Sequence, residues 1–202
     1  MILAVARIAA AVVEIRHAVP LAVSHRGPVP LADYFPECGL DHVELPVLTR
    51  GSVAEYLLGQ GMSVEELGEP AERLAGFLCT AGRVGWAFVN ASEILPRRRF
   101  TAAHELGHFL LHREEMGRFR ADTDKQVQEA DDATSDRLER EANRFAAELL
   151  VPAEVCEARV AGLKREHGCC PRDVLAYRLA SELLVSRQAM RFRLDALEIG
   201  DD

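Results

Sequence analysis

The stretch TAAHELGHFLLH, residues 101–112, decides how this chain folds. Thr101 is a credible helix N-cap, and the residues that follow it are predicted to form a helix. Apolar or small side chains surround the polar ones in this stretch, so the helix is expected to be buried on most sides. His104 and His108 stand four residues apart, which places both imidazoles on one face, within reach of a single metal ion.

Residues 104–108 have the pattern HExxH, which predicts a zinc site. Zinc accepts imidazole nitrogen and carboxylate oxygen in a tetrahedral site that leaves one position for water. Glu105 lies beside the two histidines and is expected to be a general base, not a ligand. The alternative, a pair of surface histidines, is disfavoured because burying His104 and His108 without a partner costs desolvation energy.

A third protein ligand has to come from outside this helix. A metzincin would have glycine and histidine at positions 111 and 114, where this chain has Leu111 and Glu114. Two glutamates on the next predicted helix compete for the role. Glu141 aligns with a charged stripe, whereas Glu139 shares a core-facing stripe with Ala142, Asn143, Ala146 and Leu150. Helical geometry therefore favours Glu139, with Glu141 as the alternative.

Two further residues are candidates for supporting roles. Asn143, one turn after Glu139, is predicted to hydrogen-bond a ligand and orient it, and an ordinary surface amide is an equally good interpretation. His112 continues the histidine series, but two steps of four residues rotate it about 80° from His104. It is therefore predicted to shape the substrate cleft or to fill a buried polar position.

The secondary structure of the segments before the motif is predicted from their helix- and strand-breaking residues and from the periodicity of their apolar side chains. Residues 70–79 begin with Pro70 and are expected to be helical, 85–90 (GWAFVN) to be a strand, and 91–100 to be a turn followed by an extended piece. If the strand at 85–90 lies at an edge, it would align an extended substrate by backbone pairing; the alternative is a strand paired on both sides. For an oxyanion the sequence offers three candidates without choosing among them, Tyr56, Arg99 and His112.

Residues 114–134 lose apolar periodicity and are acidic and polar, which is typical of an exposed loop. The helical pattern resumes over 135–150 and stops before Pro152. The closing segment, 171–200, has helix-turn-helix spacing, with Ser186 as the N-cap of its second helix.

The second helix of this closing segment carries three arginines, Arg187, Arg191 and Arg193. Such side chains would suit a helix that reads DNA. Acidic neighbours dilute the positive charge, and no basic arm supplements it, so a packing or partner-docking unit is favoured over DNA binding.

The first twenty residues are apolar, but Arg7 interrupts them, and no uncharged run approaches the ~20 residues of a membrane span. A signal peptide would have its positive charge before the apolar region. We therefore expect an amphipathic helix packed on the domain. The formal net charge of −8 argues against polyanion binding by bulk electrostatics. The five cysteines lack the spacing of a disulfide framework and indicate reduced thiols in a cytoplasmic protein.

Two stretches together, RRRFTAAHELGHFLLH (97–112) and EREANRFAAELLVP (139–152), resemble the ImmA/IrrE family of metallo-endopeptidases. Residues 179–197 are similar to the usual C-terminal helical unit of that family. The resemblance implies a gluzincin-like core in which His104, His108 and Glu139 hold zinc and Glu105 is the base. Glu139 and Asn143 echo the ExxxD motif of gluzincins, with Asn in place of Asp.

Members of the family commonly cleave helix-turn-helix repressors and so switch on stress-response or mobile-element genes. In this chain the 30 residues between His108 and Glu139 are longer and more acidic than usual, a departure that bears on the substrate.

We therefore expect an α+β fold: a mainly helical zincin-like metallopeptidase core with a small antiparallel sheet, and a C-terminal helix-turn-helix-like unit. The peptidase domain is expected over 1–152, with a helix and extended segments in 1–50, and the C-terminal unit over 153–202. The predicted activity is zinc-dependent cleavage of one specific protein, a helix-turn-helix repressor, in the cytoplasm. The alternative is a non-catalytic regulator that keeps zinc and acts through its C-terminal unit on DNA or a protein partner.

Overall fold

Helix α4 (Leu95–His112), which carries the HExxH pattern, packs between a four-stranded sheet and helix α5 (Ala133–Leu150). The computed structural model describes residues 2–19, 27–64, 67–122, 133–168 and 170–199. The other helices of the described residues are α1 (Ile2–Ala18), α2 (Tyr34–Glu37), α3 (Arg50–Gly59), α6 (Ala153–His167), α7 (Arg172–Leu183) and α8 (Arg187–Ala196). The strands are β1 (Leu40–Leu45), β2 (Gly76–Ala81), β3 (Val84–Asn90) and β4 (Phe119–Asp122).

The sheet has the strand order β1-β3-β2-β4. Strands β2 and β3 form an antiparallel hairpin, β4 pairs antiparallel with β2, and β1 pairs parallel with β3. The predicted α+β class is confirmed, and the sheet is mixed because of the single parallel pair. Strand β3 is paired on both sides, so the interpretation of residues 85–90 as a substrate-aligning edge is wrong. Among the strands described, β1 and β4 are the edges.

Residues alternate between the two faces of the sheet, as the period of a strand requires. Leu78 and Ala87 face the large hydrophobic core that contains α4. Phe77 and Phe88 face the opposite way, into a smaller core against α3. The sheet is therefore covered on both faces, and the HExxH helix lies on the side of the larger core.

Two predictions from local sequence are wrong. Residues 76–81 form strand β2 where a helix over 70–79 was expected, because Phe77 and Leu78 are buried on opposite faces of the sheet and not on one helical face. Residues 95–100 are the first turns of α4, not an extended piece. Pro96 lies in the first turn, where its missing N–H costs no hydrogen bond.

The predicted acidic loop over 114–134 contains β4, and residues 123–132 of it lie outside the described part of the chain. The predicted helix over 135–150 is confirmed as α5. The closing segment contains two helices, α7 and α8, as its spacing predicts, and the Ser186 hydroxyl caps α8 by accepting the backbone N–H of Ala189.

The N-terminal helix α1 packs its apolar stripe, Ile8, Val12 and Ile15, into the large core, which confirms the predicted amphipathic helix. The same core also contains residues of α6, α7 and α8. The division of the chain at residue 152 stays a prediction. No helix in the described ranges is long and apolar enough to span a bilayer. The four cysteines in those ranges are free thiols, and Cys169 lies outside them.

Candidate metal centre

Two histidines of α4 and one glutamate of α5 converge at the interface between these helices. His104 Nε2 lies 2.9 Å from His108 Nε2. The carboxylate of Glu139 reaches both, with Oε2 3.2 Å from His104 Nε2 and Oε1 3.4 Å from His108 Nε2. Both histidines are buried, and the side chain of Glu139 is 28% exposed. Within the described residues, this is the group of His, Cys, Asp and Glu side chains whose ligand atoms lie close enough to share a metal ion.

The other ring nitrogen of His104 and of His108, Nδ1, points away from the place where the Nε2 atoms meet and lies close to a polar atom. His104 Nδ1 lies 3.0 Å from Asn143 Oδ1, and His108 Nδ1 lies 3.1 Å from His112 Nδ1. If both nitrogens carry the proton, they donate to these acceptors, and the Nε2 lone pairs of His104 and His108 point at the same place. Outer hydrogen bonds of this kind fix the ring orientation of metal-binding histidines.

Glu139 is held as a carboxylate. Burial would raise its pKa, but when His104 and His108 are protonated, the hydrogen bonds they donate and the positive charges they carry hold the pKa well below its usual value. Arg120, which projects from β4, forms an ion pair with Oε1 of Glu139. An ionised carboxylate beside two imidazoles is a donor set that zinc binds in proteins, so the residues present fit a metal ion of this type.

The alternative ligand, Glu141, lies on another side of α5 and contacts different partners. Its Oε2 accepts from His112 Nε2 at 3.1 Å and from Arg7 of α1 at 2.5 Å. Arg137 donates to Oε1 at 3.2 Å. Although burial raises the pKa of Glu141, these three hydrogen bonds give it a net lowering. Glu141 therefore supports the buried imidazole of His112 and does not join the group around Glu139.

Glu105 is completely buried between α4 and the sheet. A Cβ atom on Gly76 of β2 would lie inside the contact distance of Glu105 Oε1 and 2.8 Å from Thr101 Cγ2. Only glycine therefore lets β2 approach this carboxylate so closely. Helices α4 and α5 also approach each other closely at a glycine, since a Cβ on Gly107 would lie 2.9 Å from Phe145 Cδ1 of α5.

The structure brings together the residues predicted around the metal, and it gives other contacts to two of the three oxyanion candidates, Tyr56 and Arg99. Asn143 and His112 both contact a histidine of the HExxH pattern. Tyr56 packs edge-on against Phe88 in the smaller core, and Arg99 donates to the carbonyl of Val29.

Sequence reasoning missed Arg120, Gly76 and Arg7. Arg120 lies in a stretch interpreted as a loop, and Gly76 in one interpreted as a helix. The contact of Arg7 spans 134 positions of sequence, a separation that no local pattern reveals.

A search of curated proteins gave no match. The model of the peptidase M78 family, described as the IrrE N-terminal-like domain, matches residues 65–195. The matched range contains the HExxH helix, α5 and both helices of the closing segment, and it confirms the predicted resemblance. The match spans more than half of the 202 residues, and the chain therefore belongs to this family of metallopeptidases.

Proposed function

We propose that this metallopeptidase is a zinc-dependent endopeptidase that cleaves a specific protein. The observation that carries the proposal is the convergence of His104 Nε2, His108 Nε2 and a Glu139 carboxylate oxygen. Two imidazoles and one carboxylate leave a fourth tetrahedral position open, which is the arrangement of catalytic rather than structural zinc sites.

Bound zinc would supply a Lewis acid that polarises a carbonyl and lowers the pKa of water. The chain itself supplies the remaining functions. His104, His108 and Glu139 hold the ion. Glu105, adjacent to the first ligand, takes the proton from the attacking water and passes it to the leaving amine. The absence of a Cβ at Gly76 of β2 leaves room for the Glu105 carboxylate against the sheet.

For the substrate we propose a helix-turn-helix repressor, on the strength of the family resemblance. The cytoplasm follows as the proposed location, since such repressors act there. A purely structural metal site would need no buried base at position 105, and this favours an enzyme over a non-catalytic regulator.

The C-terminal unit is proposed to pack or dock a partner and not to read DNA. Arg193 donates to the carbonyl of Val151 at 2.9 Å, and Arg191 pairs with Asp173 of α7 at 2.8 Å. Both guanidinium groups are thus held by contacts within the chain. Arg187 lies over the ring of Tyr177 at 5.7 Å.

The proposal is tested with Glu105→Gln, assayed on a purified helix-turn-helix repressor with zinc content measured in parallel. We expect loss of cleavage by roughly 10²-fold or more with zinc retained, because the substitution removes the base and leaves the three ligands. Glu114→Gln, an exposed glutamate just beyond α4, is the matched control and should cleave normally. Full cleavage by Glu105→Gln, or wild-type protein that binds no zinc, would contradict an enzymatic zinc site.

A further inference from the structure

Helix α1 lies outside residues 65–195, which the family model matches, yet it contacts α4 and α5. We propose that α1 is a positioning element of the metal centre and that Arg7 acts on the ligand His108 through Glu141 and His112. The inference rests on the proposed zinc site and adds to it a segment that lies outside the matched family domain.

The four side chains form one continuous chain of hydrogen bonds. His108 Nδ1 lies 3.1 Å from His112 Nδ1, His112 Nε2 lies 3.1 Å from Glu141 Oε2, and Arg7 donates to the same oxygen at 2.5 Å. His108, His112 and Glu141 are buried, and Arg7 closes the chain at the surface with a side chain that is 45% exposed.

If His108 binds a metal ion through Nε2, only one placement of the protons satisfies every donor and acceptor in this series of hydrogen bonds. His108 must then carry its proton on Nδ1 and donate it to His112 Nδ1. His112 accepts there, so its own proton lies on Nε2 and is donated to Glu141. The Glu141 carboxylate is an acceptor only, and the oxygen that accepts from His112 has a lone pair for a second donor. Arg7 supplies that donor.

Arg7 determines which oxygen Glu141 offers to His112. Arg137, one turn earlier on α5, binds the other oxygen, Oε1, at 3.2 Å and is itself paired with Glu115. Without Arg7, Glu141 would still accept from Arg137, which binds the oxygen that His112 does not use. We expect the hydrogen bond to His112 to weaken, and His108 to lose part of the constraint on its ring.

A second ion pair on the same helix offers a matched control. Arg16, near the end of α1, pairs with Glu154 of α6. Arg7→Gln and Arg16→Gln each remove one charge and one cross-helix ion pair from α1. They differ in whether the lost contact leads to His108.

The test compares zinc dissociation constants of Arg7→Gln, Arg16→Gln, Arg7→Lys and His112→Asn, measured by competition with a chromogenic chelator. The unfolding midpoint of each metal-free protein is recorded as well. We expect His112→Asn to bind zinc roughly 10- to 100-fold more weakly, the range of outer-shell substitutions, and Arg7→Gln to have a smaller effect of roughly 3- to 10-fold, because it acts on His108 only through Glu141 and His112. Arg16→Gln should match the wild type, and Arg7→Lys should recover most of the affinity. In the cobalt-substituted proteins, Arg7→Gln should also shift the visible absorption bands, and Arg16→Gln should not.

Equal zinc affinity and an unchanged cobalt spectrum in Arg7→Gln, with His112→Asn weakened, would overturn the role of α1. An equal loss of zinc affinity in Arg7→Gln and Arg16→Gln would overturn the proposal too. Arg7 would then contribute only to the packing of α1 on the domain, as Arg16 does. Failure of the proposed function looks different: the wild-type protein itself would bind no zinc, or would bind it as well after His104→Ala.

Discussion

At the scale of single residues, the contact of Gly76 with Glu105 links the sheet to the proposed chemistry. The Glu105 carboxylate is fully buried, and there is no room on β2 for a side chain opposite it. A general base acts efficiently only when it is held within hydrogen-bond reach of the proton it takes. We therefore expect the missing Cβ to matter for the proposed catalysis as well as for packing.

We predict that Gly76→Ala lowers kcat by roughly 10²-fold while leaving zinc affinity near the wild-type value. The new methyl group displaces Glu105, and a misplacement of about 1 Å can cost that much in rate. Overpacking should also lower the free energy of unfolding by about 1–3 kcal/mol. Steady-state kinetics, chelator competition and urea unfolding measure the three quantities.

Gly162→Ala is the control for this substitution, because a Cβ at that position of α6 meets no atom within 4 Å. It should leave kcat unchanged and raise the free energy of unfolding by about 0.5–1 kcal/mol, since alanine is the better residue inside a helix. Gly76→Ala with wild-type kcat would show that Glu105 does not depend on this contact.

At the scale of elements, the metal centre depends on how closely α5 approaches α4. His104 and His108 belong to one helix and Glu139 to the other, so the separation of the two helices determines the separation of the ligands. Phe145 packs directly on Gly107, which lies between the two histidines in sequence. A glycine inside a helix is normally destabilising, and here it permits the close crossing.

Gly107→Ala should push α5 away and weaken zinc binding by roughly 10-fold or more, an effect of the size seen when ligand orientation is disturbed. Phe145→Ala in the same chain removes the Cδ1 and Cγ atoms that the new methyl group meets, so the double variant should recover part of the lost affinity. The measurement is the zinc dissociation constant of the two single variants and of the double variant. If the double variant shows simply the product of the two single effects, the crowding of Gly107 against Phe145 does not control the site.

The packing of whole elements also explains why β2 was wrongly predicted as part of a helix. The spacing of Leu74, Phe77 and Leu78 is compatible with one face of a helix, and Pro70 looked like its first turn. In the fold, Phe77 and Leu78 lie on opposite faces of a strand that has partners on both sides. Burial in two separate cores, one on each side of the sheet, stabilises the strand. The presence of these two cores cannot be deduced from residues 70–79 alone.

At the scale of the whole molecule, zinc would join distant parts of the chain. Its three ligands span residues 104 to 139, and the unfolded chain has no preformed site. A ligand that binds only the folded state stabilises it by mass action, by about 2.7 kcal/mol at a free concentration 100 times the dissociation constant.

We therefore predict that zinc at this concentration raises the Tm by about 5–10 °C, given the usual 2–4 °C per kcal/mol for a chain of this size. A chelator should reverse the shift. His108→Ala, which lacks one ligand, should show little or no shift in a thermal unfolding scan. An equal rise in Tm for wild type and His108→Ala would mean that zinc stabilises the protein from somewhere else.

The sequence alone determined the helix with its two histidines and base, because a four-residue spacing on a helix is a local property. It also favoured Glu139 through the apolar stripe of α5, and it predicted the two closing helices from their spacing and from Ser186 as the cap of the second. Resemblance supplied the family, and the match over 65–195 confirmed it.

Only the tertiary structure decided what surrounds those residues. Gly76 meets Glu105, Arg120 meets Glu139, and Arg7 meets Glu141 across long separations in sequence. Each of these contacts depends on how helices and strands pack, and packing is set by the combined burial of apolar residues from every element rather than by any one segment. For this reason the candidate ligands and the nearby Asn143 could be predicted from a few residues, whereas the contacts of Gly76, Arg120 and Arg7 could not.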